Sequence, residues 1–123
     1  MFENGFQRFV CGGDTIAADI GNGLRAVARL EYDQDTQPDD FDCYSARDKA
    51  RWRKNEWFFC GVVLSVWIDD ICIDSHAASL WGIEANFGDD HSYLTEVAQE
   101  LLAEAKPRAI AEAVRDRLIT ATA

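Results

Sequence analysis

Apolar side chains alternate with polar ones over two stretches of the chain and recur at helical spacing over a third. In DTIAADIGNGLRAVARLEY, Ile16, Ala18 and Ile20 fall on one face, and Leu24, Ala26, Ala28, Leu30 and Tyr32 continue it after Gly21-Asn22-Gly23. Those three residues accept positive φ at little cost, so the stretch predicts a β-hairpin with a short loop. Its other face carries Asp19, Arg25, Arg29 and Glu31 and is expected to be wet. A stronger β signal lies in WFFCGVVLSVWIDDICIDSHAASLWGIEAN, where Val, Ile, Phe and Trp dominate and Asp69-Asp70 supplies a two-residue turn. That register puts Phe58, Cys60, Val62, Leu64, Val66 and Ile68 on one face with Ile71, Ile73, Ser75, Ala77, Ser79 and Trp81. Trp57, Phe59, Val63 and Trp67 share the other with Asp74, His76 and Glu84. A one-residue slip exchanges the two faces.

From Ser92, an N-cap residue type, Leu94, Val97, Ala98, Leu101 and Ala105 recur at helical spacing. Pro107 disfavours helix at Lys106 and is expected to break or kink the run. A second helix then shows Ile110, Ala113, Val114 and Leu118 on one side. Between the hairpins, residues 33–55 hold few apolar side chains, chiefly Phe41, Tyr44 and Trp52. They read as an acidic loop and then a short basic piece, SARDKARWRKN, helical or irregular, in which Ser45 caps and Asp48 completes a capping box. Strands first and helices last predict an α+β fold, one domain over residues 1–123. Its antiparallel sheet of about four strands, in two hairpins, is covered on one face by C-terminal helices.

Length and composition narrow the class. A chain of 123 residues is long enough to bury roughly two-thirds of its unfolded surface without staples. No apolar run approaches the ~20 residues that span a bilayer, and MFENGFQRFV lacks the apolar core of a signal peptide. The expectation is therefore cytoplasmic, with no membrane partner. Cys11, Cys43, Cys60 and Cys72 lie far apart without a C-x-x-C pair, which favours free thiols over a disulfide framework.

The net charge of −10 is unevenly placed: −6 over residues 1–46, +3 over 47–56, −8 over 57–106 and +1 thereafter. It argues against direct nucleic-acid binding, because phosphate contacts need Lys and Arg.

The stretch EYDQDTQPDDFD, residues 31–42, holds six of the acids. Set against a calcium-binding EF-hand loop, Asp33 and Asp35 take the first and third positions. Gln37 then takes the fifth, Pro38 replaces the turn glycine, and Tyr44 stands where a bidentate Glu belongs. The template fails at its most discriminating places. A catalytic carboxylate pair needs one acid buried, and Asp39, Asp40 and Asp42 sit in a segment too polar for that. Asp74, His76 and Glu84 on the second hairpin's polar face are the best enzyme-like cluster, with solvation as the plainer account. Cys72-x-x-x-His76 lacks a second pair of zinc ligands. No nucleophile elbow, dinucleotide fingerprint or phosphate loop occurs. The reading is a non-enzymatic protein with no metal and no cofactor.

Two acidic features stand out beyond solubility. One is the loop, with Asp33, Asp35, Asp39, Asp40 and Asp42. The other is Glu96, Glu100 and Glu104, carboxylates about 6 Å apart by helical rise. Like charges at that spacing cost a few tenths of a kcal/mol each, and the interval is of the order of the charge spacing of ~3.4 Å along a nucleic-acid strand. Most aromatics fit packing. Trp52 and Trp57, beside the basic run, are candidates for a protein interface, where Trp and Arg are favoured anchors.

The run WFFCGVVLSVWIDDICIDSHAASLWGIEAN and then SYLTEVAQELLAEA, with FVCGGDTIAADIGNGLRAVARLEYDQD and DDFDCY before it, resembles a family of small acidic proteins encoded by phages, plasmids and other mobile elements. Ser79-Leu80-Trp81-Gly82-Ile83-Glu84 and Tyr93-Leu94-Thr95-Glu96-Val97-Ala98 are its most specific parts. The resemblance implies a context, expression in a bacterial cytosol, and carries over no catalytic residue. Such proteins are often inhibitors of host defence, of the anti-CRISPR or anti-restriction type. The leading expectation is a binding protein that presents carboxylates where phosphates would sit on a host nucleic-acid-binding factor. The alternative is a homo-oligomeric or adaptor module using Trp52, Trp57 and the exposed hairpin face. A small enzyme centred on Asp74, His76 and Glu84 comes third.

Overall fold

Asn22 (φ 58°) and Gly23 (φ 83°) turn the chain back between β1 (Thr15–Gly21) and β2 (Leu24–Tyr32). Asn and Gly reach this left-handed region most cheaply, and two such residues match the twist of the flanking strands. The computed structural model describes residues 2–88 and 92–119. From Leu24 opposite Ile68 to Tyr32 opposite Cys60, β2 pairs along its length with β3 (Phe58–Ile68). Asp69 (φ 51°) and Asp70 then return the chain into β4 (Ile71–Ala85). The result is a four-stranded antiparallel sheet in the order β1-β2-β3-β4. Helix α1 (Ala46–Arg53) links the hairpins, and helix α2 (Ser92–Arg115) comes after them. The α+β architecture expected from the pattern is the one that forms.

The inner face of the sheet buries Ile16, Ala18, Ile20, Leu24, Ala26, Ala28, Leu30, Cys60, Val62, Leu64 and Val66. Against them α2 lays Leu94, Ala98, Leu101, Leu102, Ala105, Ala109 and Ala113. The N-terminal segment closes one end. Phe2 and Val10 join the core, and the Asn86 side chain both donates to and accepts from the backbone of Val10 at 2.9 and 3.0 Å.

The break expected at Pro107 does not occur. One helix runs from Ser92 to Arg115 with Pro107 inside it. Proline deletes one hydrogen bond and crowds the preceding turn. The inward face keeps its spacing across that point through Leu102, Ala105, Ala109 and Ala113, so packing on the sheet outweighs the local penalty. Pro107 itself faces solvent.

The expected pairing of the second hairpin holds only beside its turn. Ile68 faces Ile71, but the register shifts at three places farther along β4, whose 15 residues oppose the 11 of β3. Each extra residue in a bulge moves the rest of the strand's side chains to the other face. Leu64 therefore faces Ala78 and Phe58 faces Ala85, while Ser75, Ser79 and Trp81, expected inward, are exposed.

The outer face is not simply polar. At one end Trp57 and Phe59 are buried under Phe41, Tyr44 and Phe87, rings whose centroids lie 4.8 to 6.0 Å apart. In the middle, Ser65 is buried and paired: its hydroxyl donates to the Val27 carbonyl (3.2 Å) and accepts from Trp67 Nε1 (2.8 Å). Arg29 reaches across to donate to the Ser75 carbonyl (3.1 Å).

Candidate functional site

The acidic loop is folded, and much of its charge is used internally. Asp33, just past the end of β2, accepts from Asp35 N (3.0 Å) on Oδ1 and from Thr36 Oγ1 (2.7 Å) and Gly82 N (3.0 Å) on Oδ2. It thereby makes its own turn and ties the loop to β4 where Gly82 bulges at φ 74°. Asp40 Oδ2 accepts from Gln37 N (2.9 Å) and closes the 3-10 turn Pro38–Asp40, whose proline is buried. Asp39 pairs with Lys49 of α1 at 3.0 Å. The basic run after the loop therefore partly neutralises it. Ser45 and Asp48 cap α1 reciprocally, each backbone N–H donating to the other's side chain at 3.1 Å, which holds Lys49 in place. Among the loop acids, Asp35 and Asp42 remain exposed with no ion pair or side-chain hydrogen bond of the carboxylate among the described residues.

On α2 the picture is different. Glu96, Glu100 and Glu104 are all exposed, on the side turned away from the buried face. The one base four residues on, Arg108, turns instead to the Ala77 carbonyl and to Glu112 (3.8 Å). The three carboxylates span about 12 Å at 1.5 Å rise per residue. This stripe and the loop do not form one surface. Phe41 rests on Phe59, on the face of β3 opposite Cys60, whereas α2 covers the Cys60 side. The eight acids of the sequence reading thus divide between two sides of the sheet, and Asp33 and Asp40 serve the loop's own fold.

The two tryptophans also part company. Trp57 is fully buried and donates from Nε1 to the Asp48 carbonyl at 2.9 Å. An interior ring that fixes α1 is not an exposed anchor, which corrects the expectation for it. Trp52 is half-buried and lines an open cleft with Tyr32, Arg53, Asn55 and Phe58.

The enzyme-like trio is not assembled. Glu84 stands opposite Phe59 and Asp74 opposite Val66, which at ~3.3 Å per strand residue is roughly 23 Å apart. Glu84 accepts the hydroxyl of Tyr44, whose ionisation burial and this carboxylate push well above the ordinary phenol range. His76 is exposed beside Arg29, with Nε2 3.4 Å from the guanidinium. No group of three or more His, Cys, Asp or Glu side chains among the described residues is placed to hold a metal ion. Cys11, Cys43 and Cys72 are exposed free thiols. Cys60 is buried in the core, and burial, with the nearby Asp33 charge second, pushes its pKa up to about 12.

A feature the sequence reading missed lies beside the loop. Tyr32 and Trp81, 54% and 44% exposed, line a cleft of about 500 Å³ with Asp33, Gln34, Asp35 and Thr36. Each ring lies against a glycine. A Cβ on Gly12 would stand 2.3 Å from the Tyr32 ring, and one on Gly61 would stand 2.2 Å from the Trp81 ring. The signal for it was a lone glycine, Gly61, in the most apolar strand of the chain.

No described helix is long and apolar enough to cross a membrane. Comparison of the chain with protein-family models, with curated proteins and with solved structures finds no match.

Proposed function

We propose that this protein is a non-enzymatic binding protein whose acidic surface occupies a basic, nucleic-acid-binding groove on another protein. One observation carries the reading: the stripe of Glu96, Glu100 and Glu104, exposed, evenly spaced and without ion pairs among the described residues. Bases interleaved with such acids at neighbouring helical positions would relieve like-charge repulsion. Here the repulsion is left in place, as a surface awaiting an outside cation would leave it. The sequence resemblance to small acidic proteins of mobile elements supports a host-defence factor, of the CRISPR or restriction type, as the partner. Asp35 and Asp42 supply a second, smaller set of exposed charges on the other side of the sheet.

A field of this kind steers association and weakens steeply with salt. The test is capture from a bacterial lysate at low and at high salt, with E96Q/E100Q/E104Q in parallel. The reading expects a nucleic-acid-handling protein retained at low salt, released at high salt and lost in the triple variant. Retention indifferent to both salt and the substitutions would sink it.

A second reading, self-association, is favoured by the edge strand β4, where Ile71, Leu80 and Trp81 stand exposed. Mass that rises with concentration in sedimentation, abolished by Leu80→Lys, would support it.

A further inference from the structure

Strand β4 lies at an edge of the sheet, and its outward backbone is closed at two places and open between them. Asp33 N donates to the Phe59 carbonyl, so Phe59 turns its backbone to β2, and alternation along β3 turns Val62 and Leu64 to β4. Their partners Leu80 and Ala78 are therefore bonded inward, and the N–H and C=O of Ser79 between them point out of the sheet. To either side, side chains of α2 take the outward carbonyls: Arg108 that of Ala77, Tyr93 that of Glu84. Ser79 has no such cap among the described residues. An uncapped stretch of edge is a template for another strand.

Helix α2 runs along this window in the opposite direction to β4. Tyr93 to Arg108 rises about 22 Å, and Glu84 to Ala77 extends roughly 20–23 Å, so the two bonds pin matching lengths. Arg108 marks the side of α2 that faces the edge, and residues four apart lie one above another along a helix. Glu104 and Glu100 are the next two members of that row. Glu96 stands farthest from the strand, because the row winds by about 40° per turn. Below the row is Leu80, on the α2 side because it pairs with the core residue Val62, and 48% exposed. The open edge thus borders a groove with an apolar floor at Leu80 and a wall of two carboxylates.

We propose that an extended, basic segment of a partner protein adds to β4 at Ser79 as a fifth strand, with its Arg or Lys side chains at alternate positions lying over Leu80 and meeting Glu100 and Glu104. The proposal rests on the reading of the protein as a binder of basic surfaces and gives the partner's segment a conformation and a spacing. Side chains on one face of a strand recur about every 6.7 Å, and the glutamates about every 6 Å, so alternate bases keep step with both carboxylates. Arg and Lys stems cover apolar surface while their charged heads reach past it. In strand addition the backbone bonds supply affinity and the alternate side chains supply specificity. Two β4 edges paired with each other would set two glutamate rows side by side, so charge selects a basic partner over a second copy. Arg108, engaged with the Ala77 carbonyl and Glu112, closes the groove at its far end.

The probe is the hexapeptide Arg-Thr-Arg-Thr-Arg-Thr with blocked ends, titrated at low salt and followed by the backbone amide signals of Ser79 and its neighbours in NMR. A block peptide, three Arg then three Thr, and the alternating peptide N-methylated on either its Arg or its Thr residues complete the set. The alternating peptide should bind several-fold tighter than the block peptide. N-methylation in the phase that faces β4 should weaken it roughly five- to tenfold, the scale of a lost hydrogen bond, and in the other phase leave it unchanged. E100Q/E104Q should weaken it several-fold. Ser79→Pro removes the outward N–H, which an edge strand tolerates, and should cost as much as N-methylation; if that variant unfolds, the methylated peptides carry the test. Equal binding of all four peptides, lost in E100Q/E104Q, overturns strand addition and leaves the acidic-surface reading standing. Binding of none of them also overturns it, as does a mass that doubles without peptide and returns to the monomer's in Ser79→Pro. The acidic-surface reading falls separately, when capture from lysate is indifferent to salt and to the triple Gln variant.

Discussion

Asp33 and Asp35 are two residues apart in the same acidic run, yet only one of them is built into the fold, and Asp33→Ala measures the difference. The substitution removes the acceptor of three hydrogen bonds, from Asp35 N, Thr36 Oγ1 and Gly82 N. Bonds to a charged acceptor contribute roughly 1.5–3 kcal/mol each when buried, and neutral ones about 0.5–1.5. Asp33 is only half-buried, and water can reach the freed donors, so the lower figures apply. The expected loss is about 2 kcal/mol, which for a domain of this size lowers Tm by roughly 6–10 °C. Asp35→Ala, at an exposed carboxylate without a hydrogen bond of its own, should stay within about 0.5 kcal/mol of the wild type. Urea unfolding monitored by tryptophan fluorescence gives both values from midpoints at constant slope. If Asp33→Ala cost no more than Asp35→Ala, the loop would not be held as described.

The same geometry fixes three further outcomes. Pro107→Ala restores a backbone donor inside α2 and should raise stability by about 1–3 kcal/mol; a lower urea midpoint would mean that the proline supports the helix's course. A thiol reagent at pH 8 should titrate Cys11, Cys43 and Cys72 in the folded protein and reach Cys60 only after denaturation. Because the Cys60 pKa is raised in the fold, the unfolded chain alone releases that proton above pH ~9. Stability should then fall by about 1.4 kcal/mol per pH unit toward pH 12, and Cys60→Ala should flatten that part of the profile. Gly61→Ala puts a methyl group into the Trp81 ring and should cost about 1–3 kcal/mol, with a change in tryptophan emission as the ring leaves its seat.

The sheet, both of its turns and the cap of α1 were legible because local chemistry specifies them. Asn22-Gly23 needs positive φ, and the Ser45–Asp48 box needs only four residues. The alternation in β1 and β2 likewise marked the inward set from Ile16 to Leu30. The features that stayed hidden depend on partners far along the chain. The bulges of β4 exchange its faces without changing its apolar content, and the positive φ of Gly82 is the sole local sign of them. Pro107 reads as a stop until the alanine face that continues past it meets the sheet. The candidate site was legible in composition and not in placement. Glu96, Glu100 and Glu104 are displayed as their spacing indicated, whereas Asp33 and Asp40 turned inward to the loop. Trp57 went under the outer aromatic cluster, because Phe41 and Tyr44 come from the loop before α1 and Phe87 from beyond β4, two segments that only the fold brings together.

The most direct test of the acidic surface is competition. A partner captured by the wild-type protein is titrated with a duplex DNA or RNA of its own binding preference while bound to the immobilised protein. If carboxylates stand where phosphates bind, the nucleic acid displaces the partner with a midpoint that rises in proportion to the amount of protein immobilised, and the two are never held together. A stable ternary complex, with the nucleic acid bound at undiminished affinity, would contradict the account.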